Sequence, residues 1–274
     1  MKELFEKTGK RQAFLRISGT SLGKLSGDQM MRADSGIHQS NIPPELDLPA
    51  YPAAEAARLI GLHPTRVRRW LRGYQYRYKT DPGEFSIREQ EALIQRGATR
   101  GTTYASFLDL IDLLFARQFL DYGISLQKLR KALDEARAIL KTDHFARQTF
   151  FTDGRNVYLQ VKDSDDHSDA ILELLSNGQW VIAPVIRALA HRIEFDKPSG
   201  LARRWYPKGP SGLVVLDPSI SFGRPSIVGR GVPTAAVYDL YLAERKKLRR
   251  VCKWMDLKTD EVQAAVSFEM KIAA

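Results

Sequence analysis

At 274 residues the chain is longer than one hydrophobic core usually grows, about 250 residues, and has room for two or three domains. With 43% apolar and 27% charged residues it is not a chain disordered throughout, and its formal net charge of +10 points toward polyanionic partners. A single cysteine, Cys252, excludes an internal disulfide and a thiolate metal cluster, and no run approaches the ~18 apolar residues of a membrane span.

The start, Met1 to Leu15, lacks the apolar core of a secretory signal, so a reducing, cytoplasmic setting is expected. Charge is uneven: +1 over residues 1–48, +5 over 49–100, 0 over 101–146, +1 over 147–211 and +3 over 212–274. These ranges are also the expected parts. Residues 1–48 mix Gly, Ser and Lys without a period and end in Asn41-Ile42-Pro43-Pro44, as a leader or linker would. Residues 49–146 open with a short helix, Ala53 to Ile60, a turn at Gly61-Leu62-His63, and a second helix with Pro64 at its first position, ending near Gly73. Tyr74 to Phe85 alternates aromatic and basic residues about Asp81-Pro82-Gly83, the pattern of a small hairpin or wing.

Ser106 with Asp109 three residues on is a capping-box-like start for a helix running to Gly123, and Ser125 caps another reaching about Lys141. Residues 147–211 carry turn signals at Asp153-Gly154 and Asn177-Gly178 among short strand patterns, with a helix over 170–175, and read as a mixed β connector serving dimerisation. After Pro198-Ser199-Gly200 and Lys208-Gly209-Pro210-Ser211-Gly212 the last part, 212–274, reads as a strand (Leu213 to Leu216), a Gly/Pro loop, a short strand (Ser226 to Val228), and helices from Thr234 and Thr259. The class is α+β, mainly α.

In the second helix Val67, Trp70 and Leu71 fall at i, i+3 and i+4 and must pack on Leu59 and Ile60. That leaves Thr65, Arg66, Arg68, Arg69 and Arg72 outside, on a rod that fits a DNA major groove, where Arg reads guanine and neutralises phosphate. Arg77 and Lys79 on the wing would reach the phosphate backbone. The competing reading is a solvated basic helix of an ordinary bundle.

The stretch Ala53-Ala-Glu-Ala-Ala-Arg-Leu-Ile-Gly-Leu-His-Pro-Thr-Arg-Val-Arg-Arg-Trp70 resembles the winged helix-turn-helix of MerR-type regulators, and Tyr104 to Asp112 and Gly123 to Ala132 resemble the helices that follow it. The tail from Val214 to Thr234, with Leu257 to Phe268, is similar to a small antitoxin-associated domain of unknown function. Together, over roughly residues 50 to 270, the order resembles the larger VapB-type antitoxins paired with PIN-domain ribonuclease toxins. The resemblance implies a homodimer whose front represses its own operon by binding operator DNA and whose tail silences the toxin. It further implies that Phe222, Arg224, Arg230, Arg245, Lys246, Arg249 and Arg250 face the toxin, whose active site is acidic in this family.

Alternatives stay open for the tail. Gly and Pro about Arg224 and Arg230 also serve tight turns by themselves. The run Glu244 to Lys253 reads equally as an exposed basic helix with Leu248, Val251 and Cys252 inward, or as a second nucleic-acid contact. For the whole chain the alternative is a MerR-like transcriptional regulator answering a small molecule.

No catalytic residue, metal or cofactor is expected. His38, His63, His144, His167 and His191 are scattered, the aspartate-rich run 163–169 lacks the Gly and distal Glu of a calcium loop, and Cys252 has no His near it in sequence.

Overall fold

The computed structural model describes residues 42–81, 83–94, 103–121, 123–140, 144–147 and 188–273. The leader up to Asn41, the expected turns at Asp153-Gly154 and Asn177-Gly178, the helix over 170–175 and the aspartate-rich run lie outside the described residues. The described residues belong to one compact unit.

Helices α1 (Pro44–Asp47), α2 (Ala53–Ile60), α3 (Pro64–Arg72), α4 (Phe107–Asp121) and α5 (Leu126–Leu140) make the front. Strand β1 (Tyr51–Pro52) leads into α2, β2 (Tyr74–Asp81) and β3 (Glu84–Gln90) follow α3, and β4 (Tyr104–Ala105) leads into α4. After β5 (Ile193–Phe195), β6 (Ala202–Trp205), β7 (Val214–Val215) and β8 (Ser226–Ile227) come α6 (Thr234–Ala243), α7 (Leu248–Met255) and α8 (Thr259–Ala273). The strands form four antiparallel pairs, β1-β4, β2-β3, β5-β6 and β7-β8. The mixed helix-and-strand class is as expected. Pro44–Asp47 is already helical with Leu46 buried, so folded structure begins before the composition change at residue 49.

The front is organised by α4. Ten consecutive residues, Phe107 to Ala116, are buried, as in a helix surrounded by protein on all sides. Its start is a reciprocal capping box: the Asp109 amide donates to Ser106 Oγ (3.1 Å) and the Ser106 amide donates to Asp109 Oδ2 (2.8 Å). Ser125 caps α5 through the Lys128 amide at 3.3 Å. Arg130 and Arg137 of α5 reach to the carbonyls of Glu91 (2.7 Å) and Leu93 (2.6 Å), at the foot of the β2-β3 hairpin.

One hydrophobic core contains Leu46, Tyr51, Trp70, Leu110, Ile111 and Leu113, and also Trp205, Leu216 and Phe268, so front and tail share it. The composition change about residues 209–212 is a turn crossed by paired backbone bonds: Trp205 and Leu216 exchange amide and carbonyl at 3.0 and 2.9 Å. A second, smaller cluster of Ile227, Val237, Val251, Leu257, Val262, Ala265 and Val266 unites α6, α7 and α8.

Two carboxylates of α4 are buried and need partners. Asp109 is in the capping box, and Asp112 Oδ2 lies 2.9 Å from Nδ1 of buried His144, whose Nε2 is 3.6 Å from Asp47. Burial works against the imidazolium, but the hydrogen bonds to Asp112 and Asp47 and the charges of Asp112 and Asp109 outweigh it, and the His144 pKa is pushed up to about 10. A histidine held above its unfolded value of about 6.5 stabilises the fold fully below that pH and loses the contribution as pH rises toward 10. Urea-unfolding midpoints should therefore fall between pH 7 and pH 10, and Asp112→Asn should lower the midpoint at pH 7 and flatten this alkaline decline.

Candidate nucleic-acid interface

Helix α2 ends at Gly61, which takes the left-handed conformation (φ 65°) that stops a helix, and α3 starts three residues later. His63 caps α3, its Nδ1 accepting from the Thr65 amide at 3.3 Å, and Pro64 occupies the first position as expected. Val67, Trp70 and Leu71 are buried with Leu59 and Ile60 of α2 in the core. The helical period then forces the remaining positions outward: Thr65, Arg66, Arg68, Arg69 and Arg72 are all exposed. Among the described residues, none of these four arginines is ion-paired with a carboxylate. An α-helix with its side chains is about 10–12 Å across, comparable with a major groove about 12 Å wide.

The hairpin is fixed to the end of this helix. Gly73 has φ 75° and ψ −176°, and a Cβ there would lie 2.5 Å from the Gln90 carbonyl oxygen, so glycine is required where β2 leaves α3. The returning chain donates the Leu93 and Ile94 amides to the Trp70 carbonyl at 2.8 and 3.0 Å. From there the ribbon extends into solvent, with Phe85 58% and Ile87 67% exposed.

The β2-β3 register, Tyr76 opposite Arg88, Arg77 opposite Ile87 and Lys79 opposite Phe85, sorts the ribbon into two faces. Arg77 and Lys79 share one with Phe85, over whose ring the Arg77 guanidinium lies at 5.2 Å. Tyr74, Tyr76 and Tyr78 share the other, with ring centroids 5.9 and 6.3 Å apart. Arg69 of α3 sits 4.8 Å over the Tyr74 ring and Arg88 sits 5.1 Å over Tyr78. The arginine face of α3 is thus continuous with the tyrosine face of the ribbon. Sequence reading singled out Arg77 and Lys79 and missed Arg88; only the strand register, which a sequence pattern leaves open, reveals it.

The expected toxin-facing residues fall on two structures. Phe222, Arg224 and Arg230 belong to the loops between β7 and α6. Ser221, Phe222 and Gly223 all have positive φ (50°, 56° and 77°), and this left-handed turn presents the Phe222 side chain 87% exposed. Tyr51 holds the turn from the front, its buried hydroxyl donating to the Gly223 carbonyl at 2.7 Å, while Ser221 Oγ donates to the Gly231 carbonyl at 3.0 Å. Burial, followed by the nearby charges of Glu55 and Asp217, pushes the Tyr51 hydroxyl well above its usual range, so it stays a donor. Nothing in the sequence marked Tyr51, because its partner is 172 residues away. Arg224 is exposed, and Arg230 is bound to Glu261 at 3.1 Å.

Arg245, Lys246, Arg249 and Arg250 are all exposed, and the basic helix considered for residues 244–253 forms only from Leu248 onward, with Val251 buried and Leu248 and Cys252 half-buried as expected. Glu244 to Lys247 is a turn with Arg245 and Lys246 at positive φ, and helix resumes only at Leu248. Arg250 pairs with Glu244 at 3.0 Å. Among the described residues no three of His, Cys, Asp and Glu are grouped to hold a metal ion, and no helix is long and apolar enough to cross a membrane.

No protein-family model matches the chain. It is 24% identical over 198 residues to a Mycobacterium tuberculosis protein provisionally named antitoxin VapB45, a match covering 70% of this chain and 82% of the relative. The crystal structure of Rv2018 from Mycobacterium tuberculosis is similar in fold, with a TM-score of 0.59 and 22% identity, covering 81% of this chain and 99% of that one.

Tyr51→Phe should leave the Gly223 carbonyl without its buried donor and cost about 1–2 kcal/mol in urea unfolding. Gly223→Ala should cost more, since a Cβ would lie 2.3 Å from the Tyr51 hydroxyl at a φ that disfavours alanine.

Proposed function

We propose that this chain is a non-enzymatic antitoxin of the VapB type: a cytoplasmic homodimer that represses its own operon and silences a PIN-like ribonuclease toxin. The observation that carries the DNA half is the exposed, carboxylate-free arginine face of α3 beside the aromatic ribbon. Thr65, Arg66, Arg68, Arg69 and Arg72 enter the major groove in the manner of a MerR-like winged helix-turn-helix. Arg77 and Lys79, reaching around the ribbon edge, contact flanking phosphates. A dimer of such modules reads a two-fold symmetric operator.

The toxin half draws on the similarity to a protein named as an antitoxin and on the Phe222 turn. An aromatic side chain held out on a left-handed backbone is the kind of rigid anchor that dominates protein interfaces. Exposed Arg224, two residues along the chain, complements the acidic active site expected of the toxin, and Arg230 would do so by exchanging its pairing with Glu261.

Arg66→Ala with Arg69→Ala should abolish sequence-specific retention of the operator in a gel-shift assay run at physiological salt with competitor DNA, while leaving toxin capture unchanged. Operator binding as tight as in the unaltered chain would remove α3 from the interface.

A further inference from the structure

The fifteen residues from Glu244 to Lys258 carry seven cations, Arg245, Lys246, Lys247, Arg249, Arg250, Lys253 and Lys258, against two acids, Glu244 and Asp256. The structure concentrates them. The inner face of α7 is buried Val251 with half-buried Leu248, Cys252 and Met255, all in the small tail core, so Arg249, Arg250, Lys253 and Trp254 project outward. Among the described residues only Arg250 of the corner cations 245–253 has an ion-pair partner. The rest repel one another across solvent.

The backbone adds a second, independent sign. At the end of α6 the Lys246 amide donates to the Tyr241 carbonyl (2.8 Å) and the Arg245 amide to the Leu242 carbonyl (3.1 Å). These are the paired bonds of a helix-ending turn whose left-handed position is normally glycine. Here Arg245 occupies it at φ 53°, and Lys246 follows at φ 63°. Two long cationic side chains sit where the least strained residue is Gly, in the most crowded positive charge of the tail. Both terms disfavour the folded state, and glycine would remove both.

We propose that the α6-α7 turn and the outer face of α7 form a second contact for duplex DNA, made to the phosphate backbone and separate from α3. Phosphates compensate several cations at once without needing an apolar pocket. So dense a run of positive charge with little apolar area is uncommon at the centre of a protein interface, where charged residues as a class are depleted, and this disfavours a protein as the occupant. Trp254, 72% exposed one turn beyond Arg250, offers a flat face to the adjoining sugar. The contact reads no sequence; it tightens and orients a chain whose α3 is seated in the groove.

The test uses the full chain and a labelled duplex of arbitrary sequence, with fluorescence anisotropy followed across a salt series. In an Arg66→Ala, Arg69→Ala background, duplex binding should persist at low salt. Adding Arg245→Gly with Lys246→Gly should weaken it several-fold and reduce the log–log salt slope by about 1 to 2, since each phosphate contact contributes about 0.9. The same glycines should raise the thermal midpoint. Arg249→Ala with Lys253→Ala should reduce the slope similarly and leave the midpoint in place. A raised midpoint with an unchanged slope would make the corner a merely solvated turn and overturn the proposal. So would loss of toxin capture with DNA binding intact, which would make the corner a protein-docking surface. Loss of all duplex binding in the Arg66→Ala, Arg69→Ala chain alone overturns it too, while leaving the role of α3 standing. Binding unaffected by the α3 changes but sensitive to the corner would remove α3 and uphold the corner.

Discussion

The burial of Val67, Trp70 and Leu71 against Leu59 and Ile60 decides what the front can present. A nine-residue helix has one apolar stripe, and once that stripe is committed, the period of 3.6 leaves the four arginines facing water. Their exposure follows from the packing of their neighbours. The same constraint fixes the ribbon, because Gly73 turns the chain at the end of this helix and the Trp70 carbonyl receives the returning amides. The exposed arginines and the hairpin are therefore placed by one tryptophan and the residues on either side of it.

Local patterns were legible in the sequence to the extent that they depend on near neighbours. The Ser106-Asp109 box, the Pro64 start, the Gly61 stop and the hairpin about Asp81-Pro82-Gly83 are all decided within a few residues, and each is found. What was not legible depends on distance. The reach of Arg130 and Arg137 to the foot of the hairpin, the pairing of Asp112 with His144, and the grip of Tyr51 on Gly223 join residues 32 to 172 positions apart. A histidine that looks isolated in the chain is, in three dimensions, the counter-ion of a buried carboxylate. The break at Arg245 and Lys246 was also hidden, because neither residue type favours a left-handed backbone.

The tail carries two surfaces of different physics. At the Phe222 turn, strain is held in place by buried hydrogen bonds from the front and displays one large apolar side chain. At the α6-α7 corner, strain accompanies positive charge that, among the described residues, only the Arg250–Glu244 pair offsets, over a small core of its own. An apolar anchor suits a shaped partner, and a spread of cations suits a periodic polyanion, so residues that the sequence offered as one group separate into two by environment.

The shared core has a practical corollary for dissecting the molecule. Tyr51, Trp205, Leu216 and Phe268 lie in one continuous apolar interior, and Tyr51 sits at the threshold of α2. Severing the chain near residue 212 would uncover greasy faces on both fragments, and each would tend to aggregate before it could be assayed. Engineering one half without the other has to proceed by exchanging surface side chains, never by scissors.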